Sequence, residues 1–227
     1  PEIVASIKRG TRSTSFQMPT QCPDCNTSII HNLKEVAYRC PNYECPSQIK
    51  GRLWHFVSRD AMNIDGFGQT LINTLVDKKL LYSIADIYKL NFNQLIKIER
   101  MGETSSRNLL NSIHLSKTVS LERFLFALAI PFLGKRSAQI IAQHTKTIKG
   151  FLSLKQDSLL QIHEIGEKIA QSIIHTIHNE PFIQMINELS DLGVIIEPSP
   201  LNTQTSHLAG KTFLFTGTLL TSKRHEA

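Results

Sequence analysis

With 227 residues, the chain has room for one large domain or two to three small ones. Lys and Arg number 25 against 19 Asp and Glu, and the net +6 favours a polyanionic partner, nucleic acid or an anionic membrane surface, without requiring either. No apolar run reaches the roughly 18 residues of a membrane span; the longest, Phe124 to Leu133, is ten residues and contains Pro131, which suits a buried core helix.

The N-terminus, PEIVASIKRG, has neither an initiator Met nor an apolar signal region, so the chain reads as an internal piece of something longer. The expected setting is the cytoplasm, which is reducing.

The first chemical feature along the chain is residues 22–45, CPDCNTSIIHNLKEVAYRCPNYEC, which hold all four cysteines. The spacing is Cys22-x2-Cys25, fourteen residues, then Cys40-x4-Cys45. In a reducing compartment two close pairs joined by a short loop are better explained by metal than by two disulfides, and a redox-active CxxC has no need of the second pair. Four thiolates on two tight turns close a tetrahedral Zn²⁺ site with no open position, so the ion is expected to be structural. Pro23, Pro41 and Pro46 stiffen those turns, while Asn26 and Asn42 tolerate a left-handed backbone. SIIHNLKEVAYR between the pairs has the alternation of a short hairpin. His31 and His55 flank the site and are read as surface residues.

Beyond the cysteines the chain becomes helical and repetitive. Four stretches align: IDGFGQTLINTLV from Ile64, IERMGETSSRNLL from Ile98, IPFLGKRSAQIIA from Ile130 and IHEIGEKIAQSII from Ile162. Each reads apolar, two variable positions, apolar, glycine, then an amphipathic helix. The glycines Gly68, Gly102, Gly134 and Gly166 are 34, 32 and 32 residues apart. A helical pattern precedes each: RLWHFVSRDAM, FNQLIKI, LERFLFALA and SLLQI. Each unit is therefore helix, tight hairpin, helix, with glycine at the start of the second helix. Unsatisfied N–H groups and the positive dipole end lie there, and a phosphate can approach closely. Lys135 and Arg136 after Gly134, and Lys168 after Gly166, add cations. The competing reading is a plain helical solenoid in which glycine only makes the turn.

Taken in order, the zinc ribbon, HFVSRDAMNIDGFG and four helix-hairpin-helix units resemble the C-terminal half of bacterial NAD⁺-dependent DNA ligases. CPNYECPSQ, GRLWHFVSR, AMNIDGFG and IADIYKL carry the resemblance, which covers essentially the whole chain. It implies a mainly α fold: a helix-hairpin-helix repeat domain, a small four-cysteine zinc ribbon and fragmentary β segments at both ends. The implied layout is the end of an oligonucleotide-binding barrel at 1–16, the ribbon at 17–50, four helix-hairpin-helix units at 51–197, a polar linker at 198–206 and the truncated start of a BRCT domain at 207–227.

The resemblance also implies an activity. Such ligases adenylate a lysine with NAD⁺, pass AMP to a 5′-phosphate at a nick and seal the nick with Mg²⁺. The nucleophile sits in a Lys-x-Asp-Gly motif, and here the one Asp-Gly, Asp65-Gly66, has Asn63 where that lysine would stand. NAD⁺ and Mg²⁺ are therefore expected on an absent N-terminal half, and the fragment alone is expected to be inactive in sealing. Its implied role is sequence-independent binding of nicked duplex DNA during replication and repair. The candidate metal ligands are Cys22, Cys25, Cys40 and Cys45. The candidate DNA contacts are Arg59, Gly66, Phe67, Gly68, Arg100, Gly102, Gly134, Lys135, Arg136, Gly166 and Lys168. A monomer, no membrane, and partnership with the missing catalytic half are the further expectations.

Only the first hairpin, Gly66-Phe67-Gly68, has the family's Gly-apolar-Gly form; Arg100, Phe132 and Glu164 replace the first glycine in the others. Arg100 is read as a phosphate contact, Phe132 as packing and Glu164 as repelling phosphate, and Ala129 stands where the family usually has glycine. Unequal grips follow: units one and three strong, two moderate, four weak. Arg59 is balanced between positioning a strand and pairing with Asp60 or Asp65. Trp54, among Leu53, Phe56 and Val57, is read as core. The rival functions are a stand-alone repair adaptor, a protein-interaction scaffold and, weakest, a zinc hydrolase.

Overall fold

The computed structural model describes residues 17–31 and 37–199. The expected barrel strand at 1–16, most of the linker and the expected BRCT start lie outside the described residues.

The ribbon is a two-stranded antiparallel ladder, β1 (Ile30–His31) and β2 (Tyr38–Arg39), in the register Ile30 to Arg39 and His31 to Tyr38. His31 stacks on Tyr38 with ring centroids 4.1 Å apart. Helix α1 (Pro46–Val57) starts directly on the last cysteine, with Cys45 as N-cap and Pro46 in its first turn, a position proline favours because its missing N–H would be unpaired anyway. Ile49, Leu53, Phe56 and Val57 form its buried stripe at helical spacing. The helix crosses residue 50, so ribbon and first repeat unit share one rigid element.

The four expected units form as pairs: α1 with α2 (Gln69–Asp77), α3 (Phe92–Leu95) with α4 (Glu103–Leu115), α5 (Leu121–Ala127) with α6 (Lys135–Thr145), and α8 (Gln156–Leu160) with α9 (Glu167–Ile177). The apolar residues bracketing each hairpin turn inward. Ile64, Phe67, Ile98, Ile130, Leu133 and Ile165 all lie in one continuous core that runs from Ile49 to Val194. Phe56, Phe124 and Phe151 are its largest fully enclosed side chains.

The repeat pattern does not account for several connecting elements. A 3₁₀ turn (Ala85–Lys89) joins units one and two, and Asp86 organises it by accepting from the amides of Tyr82 and Ser83. Helix α7 (Ile148–Leu152) links units three and four, capped by Thr147. Helix α10 (Glu180–Asp191) follows them, with Asn179 accepting from the Phe182 amide at 3.1 Å. It ends at Gly193, φ +83, where Val194 N–H reaches Leu189 and Gly193 N–H reaches Ser190, the double bond of a Schellman cap. The chain then returns to the middle of the molecule: β4 (Ile195–Glu197) pairs in parallel with β3 (Thr118–Ser120). Lys117 secures the return by donating to the Leu192 carbonyl at 2.6 Å.

Candidate metal centre and nucleic-acid interface

The four cysteine sulfurs lie within 4.8 Å of one another. Cys22 Sγ is 3.8 Å from Cys45 Sγ, and Cys25 Sγ is 3.5 Å from Cys40 Sγ. Four thiolates about 2.3 Å from a central Zn²⁺ have edges of about 3.8 Å, so the cluster has the dimensions and the all-sulfur donor set of a closed structural zinc site. Both distances far exceed a sulfur–sulfur bond of about 2.05 Å.

Local geometry explains the arrangement. Cys22-x2-Cys25 curls into a knuckle in which Asn26, φ +56, donates to the Cys22 carbonyl at 2.9 Å. Asn42 acts differently from expectation: its side chain accepts from the Glu44 amide at 3.0 Å, without a left-handed backbone. Arg52 braces the ribbon from α1, lying 3.6 Å above the Tyr43 ring and donating to the Tyr43 carbonyl. Without an ion, burial pushes the Cys40 thiol up to about 12 and raises Cys45 as well, while hydrogen bonding to Thr27 holds Cys25 down to about 6. Metal capture must expel the protons of the raised thiols, so acid opposes it.

The four hairpins share one backbone. The fourth turn residue donates to the first: Phe67 to Ile64 at 3.4 Å, Met101 to Ile98 at 3.1 Å, Leu133 to Ile130 at 3.0 Å and Ile165 to Ile162 at 3.1 Å. The third residue is left-handed each time, with φ +81 at Gly66, +64 at Arg100, +65 at Phe132 and +70 at Glu164. Negative then positive φ at the central positions is the signature of a type II turn, in which proline favours the second place, as at Pro131, and glycine the third.

The following glycine is in every case the N-cap of the long helix. Gly68, Gly102, Gly134 and Gly166 have φ of −72, −82, −81 and −90, values open to any residue. A Cβ built on each would meet nothing within 4 Å. Neither conformation nor internal packing therefore requires glycine at these sites. A side chain that capped the helix would stabilise the free protein more, and the chain uses such caps at Asn91, Thr147 and Asn179. At the four hairpins no side chain caps the first turn, whose amides have no intrahelical partner.

Two exposed ion pairs connect hairpin three with the approach to hairpin one and with hairpin four. Lys135 at the start of α6 reaches Asp60, just before hairpin one, at 2.8 Å, and Arg136 reaches Glu164 in hairpin four at 3.1 Å. Hydrogen bonds from the lysine and arginine hold both carboxyls below the usual range. Glu164 thus meets a cation, where the sequence suggested only repulsion. Arg123 of α5 braces the entry to hairpin one, donating to the Ala61 carbonyl at 2.7 and 3.0 Å and to the Arg59 carbonyl at 2.9 Å. Sequence reasoning missed this residue, since one arginine in a helix carries no directional signal. On the far side of hairpin one, Leu109 of α4 lies against Gly66.

The remaining expected contacts divide. Arg59 is exposed and makes no ion pair within 4 Å among the described residues; Asp60, its suggested partner, is held by Lys135. Arg100 is 91% exposed at its hairpin tip, beside Glu99. Lys168 is exposed in the first turn of α9. Phe67 is different: the whole residue is only 3% exposed and packs in the core, so its ring offers no surface contact. Trp54 corrects the sequence reading in the opposite sense. It is 46% exposed and lines a cleft of about 720 Å³ with Arg59, Asn63 and Gly66. The helical phase could have found this, because the buried positions 49, 53, 56 and 57 leave 54 off the stripe.

Residues 21–46, which include every cysteine, match the family described as NAD-dependent DNA ligase C4 zinc finger domain. Residues 123–186, the third and fourth units, match the helix-hairpin-helix motif family. All 227 residues align with DNA ligases: that of Bacillus subtilis at 42% identity over 234 residues, that of Halalkalibacterium halodurans at 43% over 235, and that of Thermoanaerobacter pseudethanolicus at 39% over 229. Over its whole length the chain is similar to a C-terminal portion of bacterial NAD-dependent DNA ligases. It spans 35% of the length of each of these three ligases. Among the described residues no helix is long and apolar enough to cross a membrane.

Proposed function

We propose that this chain is the DNA-gripping portion of an NAD⁺-dependent ligase that seals single-strand nicks in duplex DNA during replication and repair. Its hairpins hold the phosphate backbone through free helix amides, with Lys and Arg side chains adding attraction that is blind to sequence. The observation that carries the reading is the set of four N-cap glycines with ordinary φ and open space above them, room that a phosphate from outside the chain can enter. Cys22, Cys25, Cys40 and Cys45 hold a structural Zn²⁺ that fixes the ribbon to the first helix. The adenylated lysine, NAD⁺ and Mg²⁺ belong to a catalytic part outside this chain, because the one Asp-Gly here follows Asn63-Ile64 and lies in a hairpin. Units one and three grip more strongly than two and four.

The test is titration of the zinc-loaded chain into labelled nicked and intact duplexes at several salt concentrations. Binding should weaken linearly in log salt, with a slope that counts phosphate contacts, and should include the nick. Changing Gly134 to Ala should leave the fold intact and weaken binding severalfold, since the methyl occupies the space a phosphate needs. Absence of binding to either duplex at low salt would overturn the reading in favour of a protein scaffold.

A further inference from the structure

Hairpin three differs from the other three at its tip. The two central turn residues are Asp65-Gly66, Glu99-Arg100 and His163-Glu164 in units one, two and four, and each pair includes a carboxylate. In unit three they are Pro131 and Phe132, both exposed, and the helix behind them opens with Lys135 and Arg136.

Phe132 is at odds with its surroundings twice over. Its φ of +65 is a conformation bulky residues rarely adopt, and its side chain is 53% exposed. The sequence suggested packing, yet the ring lies outside the core, whereas the hairpin's inward places are filled by Ile130 and Leu133. Arg100 and Glu164 share the strained turn position, but each has an ionic neighbour, Glu99 at 3.8 Å and Arg136 at 3.1 Å. Phe132 has no aromatic or ionic partner among the described residues. Strain of this kind persists at sites where it has a use. Pro131 pre-sets the turn, so the ring is presented on a stiff support.

We propose that Phe132 is an apolar wedge for duplex DNA. Its ring packs on deoxyribose and base edges in the minor groove while Lys135 and Arg136 lie along the adjoining phosphates. The inference rests on the DNA-binding reading above and deepens it. The chemistry of the tip selects the partner. An apolar ring without a carboxylate on its own turn stands beside helix amides that no side chain caps. Beside it are two exposed cations whose carboxylate partners, Asp60 and Glu164, are also exposed. Such a tip suits a polyanion that has apolar faces between its charges and can exchange for those carboxylates. Apolar side chains enter DNA from the minor groove at base steps, loosening the stack there.

The experiment compares the full chain with Phe132→Gly and Phe132→Trp on a nicked duplex carrying 2-aminopurine beside the nick, each titrated at several salt concentrations. Glycine suits the left-handed turn, so Phe132→Gly should fold with an unchanged or raised Tm. It should lose about tenfold in affinity, the scale of one base–aromatic contact, with the same slope of log affinity against log salt. The ring touches no phosphate, so only the intercept should move. Phe132→Trp should retain binding, and the 2-aminopurine signal seen with Phe and Trp should vanish with Gly. Wild-type binding that Phe132→Gly leaves untouched would overturn the wedge and spare the DNA reading. A loss accompanied by a changed salt slope would also overturn it, because the turn and its phosphate contacts would then be at fault. Failure of the unmutated chain to bind would overturn both readings.

Discussion

Between residues 17 and 45 the described chain buries only two residues, both cysteines, whereas from Ile49 to Val194 a single apolar core runs through every helical unit. The ribbon's strands are two residues each and wholly exposed. Side-chain burial cannot hold such a segment, so its order must come from the cysteine cluster. The helical units hold themselves, and α1 spans the two regimes because Cys45 caps the helix whose far side is Leu53 and Phe56. A metal-dependent and a metal-independent region should therefore respond to different insults, and the predictions below test that division.

The largest effect should come from removing the metal. Chelation, or Cys40→Ser, should unfold the ribbon outright, since apparent zinc-binding energies of about 10–16 kcal/mol in small fingers are folding energies. Far-UV circular dichroism should keep most of its helical signal, and protease cleavage should concentrate before Pro46. Lowering the pH should release metal as the thiolates reprotonate, a loss that a zinc-sensitive dye would follow. Collapse of the helical signal on chelation would show that the two regions are one cooperative unit.

The converse insult is a cavity in the helical core. Phe124 of α5 is fully buried, and Phe124→Ala should cost about 3–5 kcal/mol in chemical denaturation. Bound zinc, measured at temperatures where the variant is still folded, should stay at one ion per chain. Zinc loss in parallel with unfolding would tie the ribbon to the core through α1 more tightly than the burial pattern implies.

Much of this division was legible in the sequence, for a physical reason. Thiols at close spacing and the pattern apolar-x-x-apolar-Gly report directly on the two forces involved, and Ile64, Phe67, Ile130 and Leu133 point inward as the pattern requires. What escaped depends on direction or on distance along the chain. Phe132 is apolar but exposed at a left-handed turn position, a direction that the apolar pattern does not encode. The pairing of β3 with β4 joins residues such as Val119 and Ile196 over three positions, too short a run for any periodic signal. The reach of Lys135 to Asp60 and of Arg136 to Glu164 follows from how the units pack, which local sequence does not encode. Helix α10 was within reach: Asn179 before Pro181, and Gly193 beyond the end, are ordinary start and stop signals.

A smaller effect separates the regions by pH. Asp86 in the 3₁₀ turn is partly buried, which opposes ionisation, yet Lys89, the amides of Tyr82 and Ser83 and the Ser83 hydroxyl together hold its carboxyl below the usual 3.8. The folded chain thus binds this proton less tightly than the unfolded chain does. The stabilisation is complete above 3.8 and fades as pH falls through the lower folded value. Asp86→Asn should remove that acid limb from a plot of stability against pH and should weaken the link to α10, where Lys89 also meets Glu188 at 2.6 Å. An unchanged acid limb would place the titrating group elsewhere.

The smallest predicted effect is a gain. Backbone strain survives where the surroundings over-determine the conformation, and its distribution follows the same division. The described ribbon has one left-handed residue, Asn26, of a type that tolerates it, while the helical region holds Lys79, Arg100, Ala129, Phe132, Lys146 and Glu164 there. Ala129, φ +52, precedes hairpin three at the place Asn63, also +52, takes before hairpin one. Ala129→Gly relieves about 1–2 kcal/mol of strain and returns about half of it as unfolded-chain entropy, so Tm should rise by about 1–4 °C. Asn26→Gly should raise nothing, because asparagine already fits and the ribbon's stability belongs to its metal. Equal gains at both positions would mean that the core tolerates no more strain than the ribbon does, and the contrast between the two regions would then rest on burial alone.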